Sequence, residues 1–352
     1  MLWDMFCRVI DNYGDIGVCW RLGCDLASRG ETVRLWVDDP SALAWMAPVV
    51  HPGVKVLRWT DELPPLDPGD VVIEAFGCDP PAGFVQRMAS APQPPVWINL
   101  EYLSAEAYVE RSHGLRSPQL AGPGAGLTKW FYYPGFTRAT GGLIREANLL
   151  RRQKQFDAAA WLARHATPAR PGERVVSLFC YDNAALPQML DELSRQPTLL
   201  LATAGAAAEQ VSQALGSTLV RGALRAYALP RLAQPDYDHL LWACDLNFVR
   251  GEDSFVRAQW AAKPFVWQIY PQHDAVHAAK LQAFTDLFLA PAAPALAQEI
   301  RALWAAWNGL SDSATVLCAL APWRSLCENW RDRLLGQADL GTQLIGFATE
   351  RR

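Results

Sequence analysis

The segment from Leu2 to Val37 constrains the fold most. Residues 2 to 10 form an apolar run suited to a buried strand, Asp11-Asn12-Tyr13-Gly14-Asp15-Ile16-Gly17 is a loop, and an amphipathic helix runs on to about Ser28. Gly30 closes that helix, and Thr32-Val33-Arg34-Leu35-Trp36-Val37 is a second strand ending at Asp38-Asp39-Pro40. A strand, a helix and a strand joined this closely belong to a parallel sheet with a crossover connection. Val71 to Phe76 and Val96 to Leu100 are further continuous apolar runs of strand length, ending at Gly77 and Glu101.

The chain has 352 residues, a length that suits two domains. With 51% hydrophobic and 19% charged residues it has ample apolar surface for two cores. Around residues 145 to 173 the composition turns basic (Arg151-Arg152-Gln153-Lys154) and then Pro-rich (Thr167-Pro168-Ala169-Arg170-Pro171-Gly172). The expected division is therefore a first α/β domain over 1–150, a linker over 151–172, a second α/β domain over 173–322 and closing helices over 323–352 that fold back to brace the first domain. In the second domain the alternation restarts, with strands at Val175 to Cys180, 198–203, 245–249 and 265–270 and helices near 186–194, 206–215 and 236–243. The expected fold class is α/β, with two Rossmann-like domains facing a central cleft lined by the C-terminal ends of both sheets.

Several classes of function are excluded or disfavoured. Lys and Arg total 32 against 36 Asp and Glu, so a broad basic face for nucleic acid is not expected. Every long apolar run is broken by Pro or charge, so no membrane span is expected, and the N-terminus does not have the pattern of a signal peptide. The expected location is the cytoplasm. The eight cysteines contain no C-x-x-C pair and are expected to be reduced and mostly buried. His273 and His277 lie four apart but lack a third ligand of suitable spacing, and no metal is assigned to them.

The first loop sits where open α/β sheets bind ligands, and its glycines allow close backbone approach. It has Gly14 and Gly17 but no G-x-G-x-x-G, and it carries two carboxylates, Asp11 and Asp15, where a pyrophosphate would be repelled. A cationic or hydroxylated substrate is favoured there. The simpler alternative is that Asp15 only caps a helix starting at Ile16. A second constellation, Phe248-Val249-Arg250-Gly251-Glu252-Asp253-Ser254-Phe255, ends a strand, turns at Gly251 and starts a helix. The helix N-terminus and the Arg250 charge together make an anion site fit for a diphosphate, although an ordinary acidic helix start gives a similar pattern. Gln234, Tyr237, Phe179 and Tyr181 lie at neighbouring strand and helix ends, where they could stack on and hydrogen-bond a nucleobase or simply pack in the core.

These motifs support a resemblance. Phe6 to Leu22, Trp97-Ile98-Asn99-Leu100-Glu101-Tyr102-Leu103-Ser104, Pro134-Gly135-Phe136-Thr137 with Thr140-Gly141-Gly142-Leu143, and Arg250 to Phe255 resemble EarP, the family of arginine rhamnosyltransferases of elongation factor P, over nearly the whole chain. The resemblance implies a GT-B type glycosyltransferase that moves L-rhamnose from dTDP-β-L-rhamnose to an arginine of elongation factor P with inversion, without a metal or other cofactor. Carried over by motif position, Asp15 matches the general base and Asp11 a second acidic residue near the acceptor. Arg250, Gly251, Glu252, Asp253 and Ser254 match the loop that binds diphosphate and sugar. Phe179, Tyr181, Gln234 and Tyr237 would flank the thymidine, Tyr237 standing where relatives carry Phe. Asn12, Tyr13, Gly14 and Gly17 are counted with the donor contacts, and Glu101 and Tyr102 with the protein acceptor, although Glu101 serves equally well as a strand-end residue.

The chemistry places a demand on the acids. A guanidinium is delocalised and its pKa exceeds about 12, so a carboxylate cannot deprotonate it in advance. Asp15 and Asp11 would instead hold it by charge-assisted hydrogen bonds and take the proton as the new bond forms. Arg250 and the helix N-terminus would stabilise the departing nucleotide, and Glu252 would bond sugar or nucleoside hydroxyls. The alternatives are another nucleotide-sugar transferase, a nucleotide-binding redox enzyme, which the missing glycine fingerprint argues against, and a non-catalytic adaptor with a Trp-rich surface.

Overall fold

The opening strand leaves its sheet earlier than its apolar run predicts. It ends at Cys7, after which the Val9 N–H donates to Asp38 Oδ1 (2.9 Å) and the Ile10 N–H to Asp15 Oδ2 (2.8 Å), so side-chain carboxylates replace the neighbouring strand as acceptors. A computed structural model describes residues 1–10, 13–60, 63–270, 276–313 and 316–352. They form two units, Met1–Ala147 with Leu334–Arg352, and Asn148–Arg333.

The first unit is built on a seven-stranded sheet of β1 (Leu2–Cys7), β2 (Thr32–Val37), β3 (Val54–Arg58), β4 (Val71–Ala75), β5 (Val96–Leu100), β6 (Arg116–Pro118) and β7 (Thr128–Tyr132), in the order β3-β2-β1-β4-β5-β7-β6. Only the edge strand β6 is antiparallel. Side chains alternate along β1: Trp3, Met5 and Cys7 enter a core with Ile16, Leu22 and Leu344, whereas Phe6 enters a second core with Trp36, Phe84 and Trp97. The helix Gly14–Ser28 buries Ile16, Cys19, Trp20, Leu22 and Leu26 on the first of these faces and stops before Gly30, whose φ of +93° suits glycine.

The second unit repeats the plan. β8 (Arg174–Leu178), β9 (Thr198–Ala202), β10 (Val220–Arg221), β11 (Leu224–Ala228), β12 (Leu246–Arg250) and β13 (Phe265–Gln268) form a six-stranded sheet in the order β10-β11-β9-β8-β12-β13. β10 alone pairs antiparallel. In both sheets the winding reverses beside the first strand, between β1 and β4 and between β8 and β12. In open α/β sheets the loops after such strands diverge, and ligands bind at the strand C-termini beside the reversal.

The segment expected as a linker, 151–172, contains the helices Leu149–Lys154 (in part) and Ala158–His165, both within the second unit. Its basic, Pro-rich composition hides an apolar pair, Trp161 and Leu162, that packs with Val175, Leu199 and Leu240. The helix Leu320–Leu335 also belongs almost wholly to the second unit, where Trp330 Nε1 donates to Gln259 Oε1 (2.8 Å). Only 334–352 joins the first unit. Its helix Leu340–Thr349 buries Leu344 and Ala348 there, and Arg29 Nη2 pairs with Asp339 Oδ1 at 2.8 Å. Among the described residues no helix is long and apolar enough to cross a membrane.

Candidate active site

The sequence-predicted residues gather into two groups, one at the strand reversal of each sheet. In the first unit the group centres on Asp15. The helix begins at Gly14 rather than Ile16, Tyr13 is its N-cap without a side-chain capping bond, and Asp15 lies inside the first turn. Asp15 therefore does not cap the helix in the expected way. Its carboxylate turns back toward the sheet, 3% exposed, with Oδ2 accepting from the Ile10 N–H (2.8 Å) and Oδ1 from the Tyr102 hydroxyl (3.2 Å). Tyr102 follows β5, and its ring stacks on Phe76, which follows β4 (centroids 4.3 Å apart, planes 13° from parallel).

Glu101 is held as a strand-end residue: its N–H donates to Tyr132 O (2.9 Å) and its Oε1 accepts from Asn99 Nδ2 (2.8 Å). Burial, and then the Glu101 charge, push the Tyr133 hydroxyl up to about 12, so Tyr133 stays protonated near neutral pH. Tyr13 packs edge-on against Trp45 at 5.0 Å, and the Gly17 N–H donates to Tyr13 O (3.0 Å) within the helix start. Tyr13, Gly14 and Gly17 thus share the first unit with Asp15, whereas every other expected donor contact described below lies in the second. Asp11, Asn12 and His273 lie outside the described residues.

The second group collects at the ends of β8 and β12. The Arg250 guanidinium lies over two rings, with Cζ 4.5 Å from the Phe179 centroid and 4.2 Å from that of Tyr181. Phe179 in turn meets Tyr237 edge-on at 5.5 Å. Gly251 takes a φ of +64°, which makes the turn, and its carbonyl accepts from Trp267 Nε1 (2.8 Å). Ser254 Oγ accepts from the Arg250 N–H (3.1 Å) and donates to the Arg250 carbonyl, closing the loop on itself. The helix Asp253–Ala261 starts there, and the Glu252 side chain makes no capping bond to it. Gln234 Nε2 reaches Asp253 Oδ2 at 3.3 Å. The Tyr237 hydroxyl is buried without a hydrogen bond of normal geometry; burial raises its pKa strongly, and nearby Ser254 offsets that only in part.

Two residues of this group carried no sequence signal. Gln268 Oε1 accepts from the Tyr181 N–H (2.8 Å), and Gln210 Nε2 donates to the Tyr181 carbonyl (3.2 Å) while its Oε1 accepts from the Asn183 N–H (2.9 Å). They fix the loop after β8 by amides that nothing in a linear pattern distinguishes from any other glutamine. Gln268 also lines a cavity of about 390 Å³ with Asp182, His277, Trp307, Asn308 and Asp312. Among the described residues no cluster of three or more His, Cys, Asp or Glu side chains is placed to hold a metal. Burial pushes the Cys180 and Cys78 thiols up to about 12, so both stay protonated near neutral pH.

The first unit thus carries a buried carboxylate, and the second carries a stacked guanidinium beside a helix N-terminus. The family described as elongation factor P (EF-P) rhamnosyltransferase EarP matches residues 3–349. The chain belongs to the EarP family. It is 45% identical to the protein-arginine rhamnosyltransferase of Pseudomonas aeruginosa, with 98% of each chain covered, and 36% identical to that of Neisseria meningitidis serogroup B, covering 98% of this chain and 96% of the relative. It is also similar to a solved structure described as the basis for EarP-mediated arginine glycosylation of translation elongation factor EF-P, with 31% identity, a TM-score of 0.69 and 99% of both chains covered. Arabidopsis thaliana UGT89C1 in complex with UDP, at 13% identity and a TM-score of 0.54, shares the fold, as expected of a GT-B glycosyltransferase.

Proposed function

We propose that this EarP-family protein transfers L-rhamnose from dTDP-β-L-rhamnose to an arginine side chain of elongation factor P, with inversion to the α-linkage. The observation that carries the reading is the separation of charge between the two groups. A carboxylate is held ready in one unit, and a cation braced on two aromatic faces lies at the strand reversal of the other. Acidic groups suit a cationic acceptor, whereas Arg250 and the start of the helix Asp253–Ala261 suit a diphosphate.

In this scheme an arginine nitrogen attacks the anomeric carbon as the bond from that carbon to the diphosphate oxygen breaks. The proton released from the attacking nitrogen passes to Asp15, and dTDP leaves as the anion. Attack opposite the leaving group converts a β-linked donor into an α-linked product. Asp15 accelerates the step by binding the guanidinium and accepting its proton within the transition state, a role worth about 10² to 10⁴ in rate for a positioned base. Arg250 and the first-turn peptide N–H groups stabilise charge on the leaving diphosphate, so the scheme is metal-independent. Phe179, Tyr181 and Tyr237 present ring faces and edges for the thymine, and Gln234 an amide. Because elongation factor P serves translation, we place the reaction in the cytoplasm.

Intact-mass spectrometry of elongation factor P after incubation with this protein and dTDP-rhamnose tests the proposal. One added deoxyhexose, located on an arginine by fragmentation, is the expected result. An unchanged mass with active donor present would refute it.

A further inference from the structure

The Asp15 carboxylate is held by more than its own helix. Its two oxygens take hydrogen bonds from two different segments, the Ile10 peptide on Oδ2 and the Tyr102 hydroxyl on Oδ1. Tyr102 lies outside regular structure just past β5, is 38% exposed, and comes from a segment far from Asp15 in sequence. A tyrosine in such a place would ordinarily sample several rotamers. Here the ring is laid flat against Phe76.

Phe76 is the unusual member. Its φ is +59°, a left-handed conformation that a bulky side chain adopts at a cost, and Gly77 follows at +71°. The Phe76 N–H donates to Leu100 O (2.7 Å), which locks this turn to the end of β5, directly before Glu101 and Tyr102. The strained turn thus delivers the Phe76 ring to the face of Tyr102, and the stacked pair aims the hydroxyl at Asp15. Three strands contribute in register order, β1 through the loop to Asp15, β4 through Phe76 and β5 through Tyr102, all at the C-terminal ends where this sheet reverses.

We infer that Tyr102, supported by Phe76, is a positioning residue for the Asp15 carboxylate. This inference rests on the rhamnosyltransferase reading above, in which Asp15 is the base. With Oδ1 accepting from the Tyr102 hydroxyl and Oδ2 from the Ile10 N–H, the carboxylate is held in one orientation toward the guanidinium it must engage. Loss of the hydroxyl frees the carboxylate to rotate, and turnover falls while the acceptor and donor still bind.

The test is a steady-state comparison of wild type with Tyr102→Phe, Phe76→Ala and the double variant, on elongation factor P with dTDP-rhamnose. Tyr102→Phe keeps the stacked ring and removes one oxygen, so folding is preserved. Its kcat should fall about tenfold, equivalent to about 1.4 kcal/mol, with the KM of both substrates within twofold. Phe76→Ala should lower kcat in the same way, and the double variant should be no slower than the slower single one, because the ring acts only through the hydroxyl. An unchanged kcat in Tyr102→Phe, a rise in acceptor KM alone, or effects that multiply in the double variant would each overturn the positioning role. Asp15→Asn separates the two levels. If it keeps wild-type turnover, the base reading itself fails; if it is inactive while Tyr102→Phe is unaffected, only the positioning role does.

Discussion

Arg250 provides the sharpest test of the nucleotide side. Its guanidinium lies 4.5 Å and 4.2 Å from the ring centroids of Phe179 and Tyr181, and Ser254 holds its backbone on both N–H and carbonyl. Truncation to Ala therefore leaves the backbone of the loop tied while it removes the stem and the charged head that lies over the two rings. The cation–π contacts exist without nucleotide, so they largely cancel between free and bound states. What is lost on binding is a charge-assisted bond to phosphate, about 1.5–3 kcal/mol. Taking about 2 kcal/mol, the Kd for dTDP should rise roughly thirtyfold.

Isothermal titration with dTDP at low salt measures this directly. Arg250→Lys retains the charge but not the planar, forked head, so it should fall between wild type and Ala. Raising salt from about 0.05 to 0.3 M should narrow the gap between Arg250→Ala and wild type, since part of the difference is screened Coulomb attraction. A Kd for Arg250→Ala within twofold of wild type would remove Arg250 from the phosphate site. A Lys variant as weak as Ala would show that geometry, not charge, dominates.

Two further predictions concern the closing helix and its partner in the first unit. A methyl group on Gly341 would run into Asp25 Oδ2 and sit 3.0 Å from Arg29 Nε, disturbing the Arg29 pairs with Asp25 (3.0 Å) and Asp339 (2.8 Å). Gly341→Ala should cost about 1–3 kcal/mol and lower the Tm by about 2–10 °C; a Tm unmoved in differential scanning calorimetry would count against the packing described. Burial lifts the Asp25 carboxyl to about 6, with the Arg29 pair opposing it. Because that value lies above the unfolded one near 3.9, the Asp25 contribution is fully present below about pH 4 and is lost as pH rises through about 6. The stability of Asp25→Asn relative to wild type, from urea denaturation, should accordingly improve between pH 5 and pH 7.5, and a difference that stays constant would contradict the raised pKa.

Much of this molecule is legible in one dimension. A buried parallel strand must be apolar on both faces, so Thr32–Val37 and Val96–Leu100 stand out with the bounds they have in the fold. Glycine is needed where the chain turns back at Gly251, and an Arg beside a helix start is a pattern suited to an anion whatever the surrounding fold. The long motifs at residues 6–22, 97–104 and 250–255 were sufficient to suggest the family. Composition misled at 151–172, because a basic surface there conceals Trp161 and Leu162, and two apolar residues per short helix give too weak a period to detect.

Other features depend on residues distant in sequence meeting, and no local pattern records that. Asp15 could have been a helix cap; its actual partners, Ile10 N–H and Tyr102 Oη, are settled by where β1 and β5 end in the sheet. Phe76 adopts a left-handed backbone that phenylalanine does not favour by itself, and the bond to Leu100 and the stack on Tyr102 hold it there. Gln210 and Gln268 gain their roles only because the sheet order brings β13 and the helix Ala206–Leu215 around the end of β8. Sequence determined the strands, the turns and the kinds of charge available, since those follow from properties of neighbouring residues. Tertiary structure decided the orientation of the carboxylate and the bracing of the loops, since those depend on contacts between segments far apart in the chain.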